Sequence, residues 1–100
     1  MSKLEIAGDR VLVRWGPVFT LDIDRSNITG VRVMRPSTWA GIGVHWWKGA
    51  WVVNGRFGEA VELTLNEPVK GRLLGVPVPV RRIQVVVPDP KATERELLPA

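Results

Sequence analysis

Most of the chain alternates apolar and polar residues with a period of two, the mark of strands buried on one face. In "RVLVRW" (10–15), Val11, Val13 and Trp15 share a face opposite Arg10, Leu12 and Arg14. In "VFTLDID" (18–24), Phe19, Leu21 and Ile23 oppose Thr20, Asp22 and Asp24. Val61, Leu63 and Leu65 alternate with Glu62 and Thr64, and Ile83, Val85 and Val87 with Gln84 and Val86. Turn cues separate these runs: Gly8-Asp9, Gly16-Pro17, Ser26-Asn27, Lys48-Gly49, Asn54-Gly55 and Asn66-Glu67-Pro68. Asn54-Gly55 is the best hairpin cue, because both residues tolerate positive φ. Short strands with frequent turns predict a mainly-β domain, an antiparallel sheet, barrel or sandwich. The segment "PVKGRLLGVPVPVRR" (68–82) fits one bent strand, two strands or an irregular edge, since Pro77 and Pro79 cannot both donate to a central ladder.

Only the C-terminal end has helical character. Asp89 is suited to cap free N–H groups, Pro90 to the first helical position, and "KATERELL" to a helix that Pro99 stops. A helix of about nine residues is unstable alone. It is therefore expected to dock on the sheet through Leu97 and Leu98.

The 100 residues, 45% of them apolar and 24% charged, suit a single globular domain spanning 1–100. No cysteine is present, which excludes a disulfide framework and thiolate metal sites. The opening "MSKLEIAGDR" lacks the apolar run of a signal peptide, and "LLGVPVPV" (73–80) is too short to span a bilayer. A soluble, unprocessed, cytoplasmic protein is expected. Charge changes this picture more. The net +4 is unevenly placed: from Arg25 to Gly58, and again from Pro68 to Pro88, there is no acidic residue. Such blocks attract anions without specifying a fold.

Candidate chemistry is sparse. His45 is the only histidine, so without cysteine a zinc site would have to be assembled mostly from carboxylates, and a structural or surface role for His45 is the simpler reading. Asp22 and Asp24 share a strand face and resemble a proton-transfer pair, but serve more simply as a solvated edge leading into a turn. Gly41 and Gly43 lack the third glycine and following helix of a dinucleotide loop, and fit a bend or bulge in a strand. No catalytic residue, cofactor or metal is expected.

The segment "STWAGIGVHWWKGAWVVNGRFG" (37–58) is the informative one, with four of the five tryptophans and five of the ten glycines. Neighbouring strand residues face opposite ways, so Trp46 and Trp47 are expected to diverge. One of the pair then anchors the core while its neighbour is presented. Two or three of the five tryptophans are expected in the core, with either Trp47 or Trp39 exposed, against the alternative that all five pack under loops or the C-terminal helix. The candidate binding surface comprises Trp39, Trp46, Trp47, Lys48 and Arg56.

The order of "GDRVLVRWG", "LDIDRSNITGVRV", "GIGVHWWKGAWVVNGRFGEAVELTL" and "RRIQVVVPDPKATEREL" resembles the bacterial pleckstrin-homology-like domains, and most of all their small actinobacterial members. The residues carrying the resemblance are Ile28 and Val31, Gly41 and Gly43, Val61, Leu63 and Leu65, then Asp89 and Pro90. It implies a PH-like fold, a strongly bent antiparallel sheet or partly open barrel closed at one end by the short C-terminal helix, and a binding module rather than an enzyme. The basic cluster that grips inositol phosphates in eukaryotic members is missing from the first hairpin, so that ligand is not implied here. Three partner classes remain. A protein partner, which includes a second copy of the chain, comes first. An anionic membrane surface met by basic residues and an exposed tryptophan comes second, and nucleic acid third.

Overall fold

The computed structural model describes residues 2–35, 43–47, 50–54 and 59–97, with the backbone alone at 2, 43–47, 50 and 52–54. Eight strands form one sheet: β1 (Ser2–Ala7), β2 (Arg10–Trp15), β3 (Phe19–Asp24), β4 (Ile28–Met34), β5 (Gly43–Trp47), β6 (Ala50–Asn54), β7 (Ala60–Leu73) and β8 (Val76–Val86). A 3-10 turn at Arg25–Asn27 joins β3 to β4, and the one α-helix among the described residues, α1 (Pro90–Leu97), follows β8. The sheet order is β1-β2-β3-β7-β8-β6-β5, with β4 pairing β7 off this path, and the whole curls into a half-barrel. The expected mainly-β fold with one short C-terminal helix is therefore present. Every pairing is antiparallel except β6 with β8, which is parallel. Nothing in the alternation pattern distinguishes that exception.

The long β7–β8 hairpin gives the half-barrel its shape. The first half of β7 pairs with β4 from Ile28↔Leu65 to Met34↔Ala60, and its last two residues pair with β3 at Phe19↔Leu73 and Thr20↔Arg72. Between the halves, register with β8 slips from Thr64↔Arg82 to Val69↔Val80. An unequal count of residues across a ladder bends the strand. The bend contains Asn66-Glu67-Pro68. That triplet, which looks like a turn between strands, is a kink inside one. Asn27 holds it: its Nδ2 donates to the Glu67 carbonyl at 3.0 Å and its Oδ1 accepts from the Glu67 amide at 2.9 Å. The side chain thus supplies a pair of bonds that a neighbouring strand would otherwise make.

Segment 68–82 resolves into the ends of two strands. Pro77 and Pro79 lie opposite Arg72 and Lys70. In this part of β8 no second strand pairs with its other edge among the described residues, so the missing N–H groups leave no ladder bond unmade.

The core follows the alternation. Val11 and Val13, Phe19, Leu21 and Ile23, Val61, Leu63 and Leu65, and Val80, Ile83 and Val85 are all buried between the curled faces. β3 alternates buried and exposed at every residue. Gly71 is where β7 comes close to β3. A Cβ there would lie 3.2 Å from the Thr20 carbonyl oxygen and 3.4 Å from the Phe19 ring, a tight fit that glycine relieves. Helix α1 begins as expected: Asp89 Oδ1 accepts from the Ala92 amide at 3.1 Å, ahead of Pro90 in the first turn. Leu97 docks it into the core at 4% exposure, while Leu98 lies outside the described residues.

Candidate functional site

Of the tryptophan-centred surface, Trp39, Lys48 and Arg56 lie outside the described residues, and Trp46 and Trp47 are placed by backbone alone. Register still divides the last two. Trp46 is opposite Trp51, and Trp47 is opposite Ala50. Trp51 stands in register with core residue Ile83, so position 46 is on the core face of the sheet and position 47 on the other face. Trp51 is half-buried; its ring stacks on Phe19 with centroids 6.2 Å apart, and its Nε1–H donates to the Pro79 carbonyl at 3.1 Å. Trp15 is half-buried against the same core.

Among the described residues the outer edges of the sheet differ. β1 carries Lys3 and Glu5, paired at 2.9 Å, and α1 lies against β4 and β7. β5 is "GVHWW", with no charge and no proline, and it pairs with β6 alone among the described residues. Charges and prolines are the usual means of blocking an edge.

A second surface, which the alternation pattern misses, lies at the end of the β7–β8 hairpin. Leu73 and Val76 pair across a two-residue turn of Leu74 and Gly75, with φ of 52° and 81°. Two-residue hairpins favour such left-handed pairs, usually Asn-Gly. Leucine in this conformation costs about 1–2 kcal/mol. The conformation is held by the Leu74 amide, which donates to the Val18 carbonyl at 2.7 Å. Packing does not offset the cost, because Leu74 is 74% exposed and Val76 60%.

Beside this tip, register aligns Arg14, Thr20, Arg72 and Pro77 in one row across β2, β3, β7 and β8. With strands about 4.8 Å apart, Arg14 and Arg72 stand about 10 Å from each other. Lys70 follows two residues before Arg72 on the same face of β7. Arg14, Lys70 and Arg72 are exposed and make no ion pair within 4 Å among the described residues. The other cations of this half of the sheet are engaged: Lys3 with Glu5, and Arg10 with Asp22 at 2.8 Å and Asp24 at 3.7 Å. The Lys3 hydrogen bond and charge, and more weakly the Arg14 charge, hold the Glu5 carboxyl below its ordinary range. Where β3 leaves β7, a depression of about 320 Å³ opens between Leu12, Arg14, Thr20, Asp22, Lys70 and Arg72.

Two carboxylate clusters have structural work. Asp24 accepts from the Ser26 hydroxyl at 2.8 Å and the Ser26 amide at 3.0 Å, capping the 3-10 turn. Those bonds, then Arg10, lower its pKa. Glu62 is buried on the outer face of β7. Its Oε1 accepts from Arg32 Nε and its Oε2 from Gln84 Nε2, both at 2.8 Å, and Arg82 Nε lies 3.8 Å from Oε2. With both oxygens engaged, Glu62 is a cross-strand tie between β4, β7 and β8 rather than a free base. Among the described residues, no three histidine, aspartate or glutamate side chains come together as a metal site. Nor is any described helix long and apolar enough to cross a membrane.

Fold and surface together define a mainly-β half-barrel with one uncharged strand edge, unpaired among the described residues, and one apolar, cation-flanked hairpin end. No family model, curated protein or solved structure matches the chain.

Proposed function

We propose that the chain is a non-catalytic interaction module of pleckstrin-homology-like type that associates with a second copy of itself along β5. The observation supporting this is the five-residue β5 edge, uncharged and paired on one side alone among the described residues. An edge strand offers unpaired N–H and C=O groups to another strand. Its own copy, related by a two-fold axis, provides a self-complementary match without a dedicated partner. The half-barrel with a terminal helix is compatible with the PH-like resemblance, a family of binding modules, and fold alone assigns no ligand.

Light scattering coupled to size exclusion tests the reading. The wild type should run as a dimer that dissociates on dilution. The double variant His45→Lys/Trp47→Lys places charge at positions on the sheet face away from the core, and should run as a monomer with nearly unchanged melting. A wild type that stays monomeric up to its solubility limit refutes the proposal.

A further inference from the structure

We propose that the end of the β7–β8 hairpin is a membrane-contacting tip for bilayers of anionic phospholipid. Leu74 and Val76 enter the interfacial region, and Arg14, Lys70 and Arg72 meet headgroup phosphates. This inference is independent of β5, which β6 separates from β8, and β6 pairs β8 at Ile83–Val85 rather than near the tip.

Three observations converge on it. First, the tip is apolar where a turn ordinarily is not. Leu74 is the non-glycine residue with positive φ among those described, and it is 74% exposed. Backbone strain that no side-chain packing offsets tends to gather where a residue has an external role. Second, the tip is fixed. The Leu74 amide is bonded to the Val18 carbonyl of the β2–β3 turn, so the apolar residues are presented without a loop having to order first. Third, the charges near the tip match one kind of surface. Three exposed cations without ion-pair partners among the described residues line a depression beside the hairpin tip, and Asp22, which also lines it, is already bound by Arg10. An apolar tip with cations set behind it fits a layered target, hydrocarbon below and phosphate above. Nucleic acid is a poorer match, because stacking on bases needs aromatic rings and this tip is aliphatic.

The experiment is co-sedimentation of the full chain with vesicles of phosphatidylcholine alone, and of phosphatidylcholine mixed with phosphatidylserine. The wild type should partition onto the mixed vesicles and much less onto the neutral ones, and added salt should weaken binding. Leu74→Asn retains a residue suited to the left-handed turn, so the hairpin should persist while vesicle affinity falls about tenfold or more. Val76→Thr, which keeps a β-branched strand residue, should lower affinity in the same direction and guards against a folding artefact. Arg72→Gln should lower it about fivefold. Equal partitioning of Leu74→Asn and wild type overturns the proposal, as does indifference of the wild type to phosphatidylserine. It is also overturned if single-stranded DNA binds more tightly than the mixed vesicles and Arg72→Gln weakens that binding while Leu74→Asn does not.

Discussion

Replacing Glu62 with alanine removes the carboxylate that ties three strands together. The two bonds lost are each 2.8 Å long, one from the Arg32 guanidinium and one from the Gln84 amide. Hydrogen bonds to charged groups contribute about 1.5–3 kcal/mol each when buried. The two partners do not lose equally. The Arg32 side chain is 65% exposed, so once released it is rehydrated, and its share resembles a surface pair worth about 0–1 kcal/mol. Gln84 is half-buried and has less access to water, so its share is nearer the lower buried value. The sum is about 2 kcal/mol, or a drop of about 8–16 °C in Tm for a domain of this size. Urea unfolding followed by tryptophan fluorescence measures this directly, with an unchanged slope confirming that the two end states are the same. A double-mutant cycle should then find the weaker coupling with Arg32→Ala and the stronger with Gln84→Ala. A Glu62→Ala variant within about 0.5 kcal/mol of wild type refutes the tie, because that is the range of an ordinary surface change.

Two further predictions rest on register and on charge. Trp46→Ala should destabilise by about 3–5 kcal/mol as a core-face aromatic, while Trp47→Ala should stay within about 0.5 kcal/mol, and paired thermal melts separate them. Two equal losses would contradict the face assignment. The second concerns Asp24, whose pKa lies below its ordinary 3.8 in the folded state because of the Ser26 bonds and Arg10. A depressed carboxylate stabilises the fold above its unfolded pKa, and that stability is lost as pH falls from about 3.8 through the lower folded value. Asp24→Ala should therefore flatten the acid limb of a Tm-versus-pH profile, and an unaltered limb would show that the cap has no such role.

What the sequence made legible, and what it hid, follows from the range over which each signal acts. Period-two alternation reports local burial, so the core faces of β2, β3, β7 and β8 could be read from Val11, Phe19, Leu63 and Ile83 without knowing how the strands pair. The cap at Asp89 and Pro90 was equally local. Pairing is not. Asn66-Glu67-Pro68 has turn chemistry, and only Asn27, forty residues earlier in sequence, shows it to be a kink held within β7. The alternation places Glu62 opposite the core face but cannot show that it is buried there, because its partners come from two other strands. The divergence of Trp46 and Trp47 was legible, but deciding which one takes the core face required the register with Trp51 and β8. Leu74 was the least legible residue of all. "RLLGV" lacks the Asn-Gly or Asp-Gly that advertises a tight hairpin, so its leucines read as part of an apolar run. Chemistry that is wrong for a turn conceals the turn in the sequence, and the same mismatch marks it in the structure. An asparagine at position 74 would satisfy the backbone and leave nothing to explain. A leucine, strained and exposed there, is accounted for most simply by an apolar phase outside the molecule, which is why Leu74→Asn is the variant in which the stability of the fold and its binding to a membrane should part company.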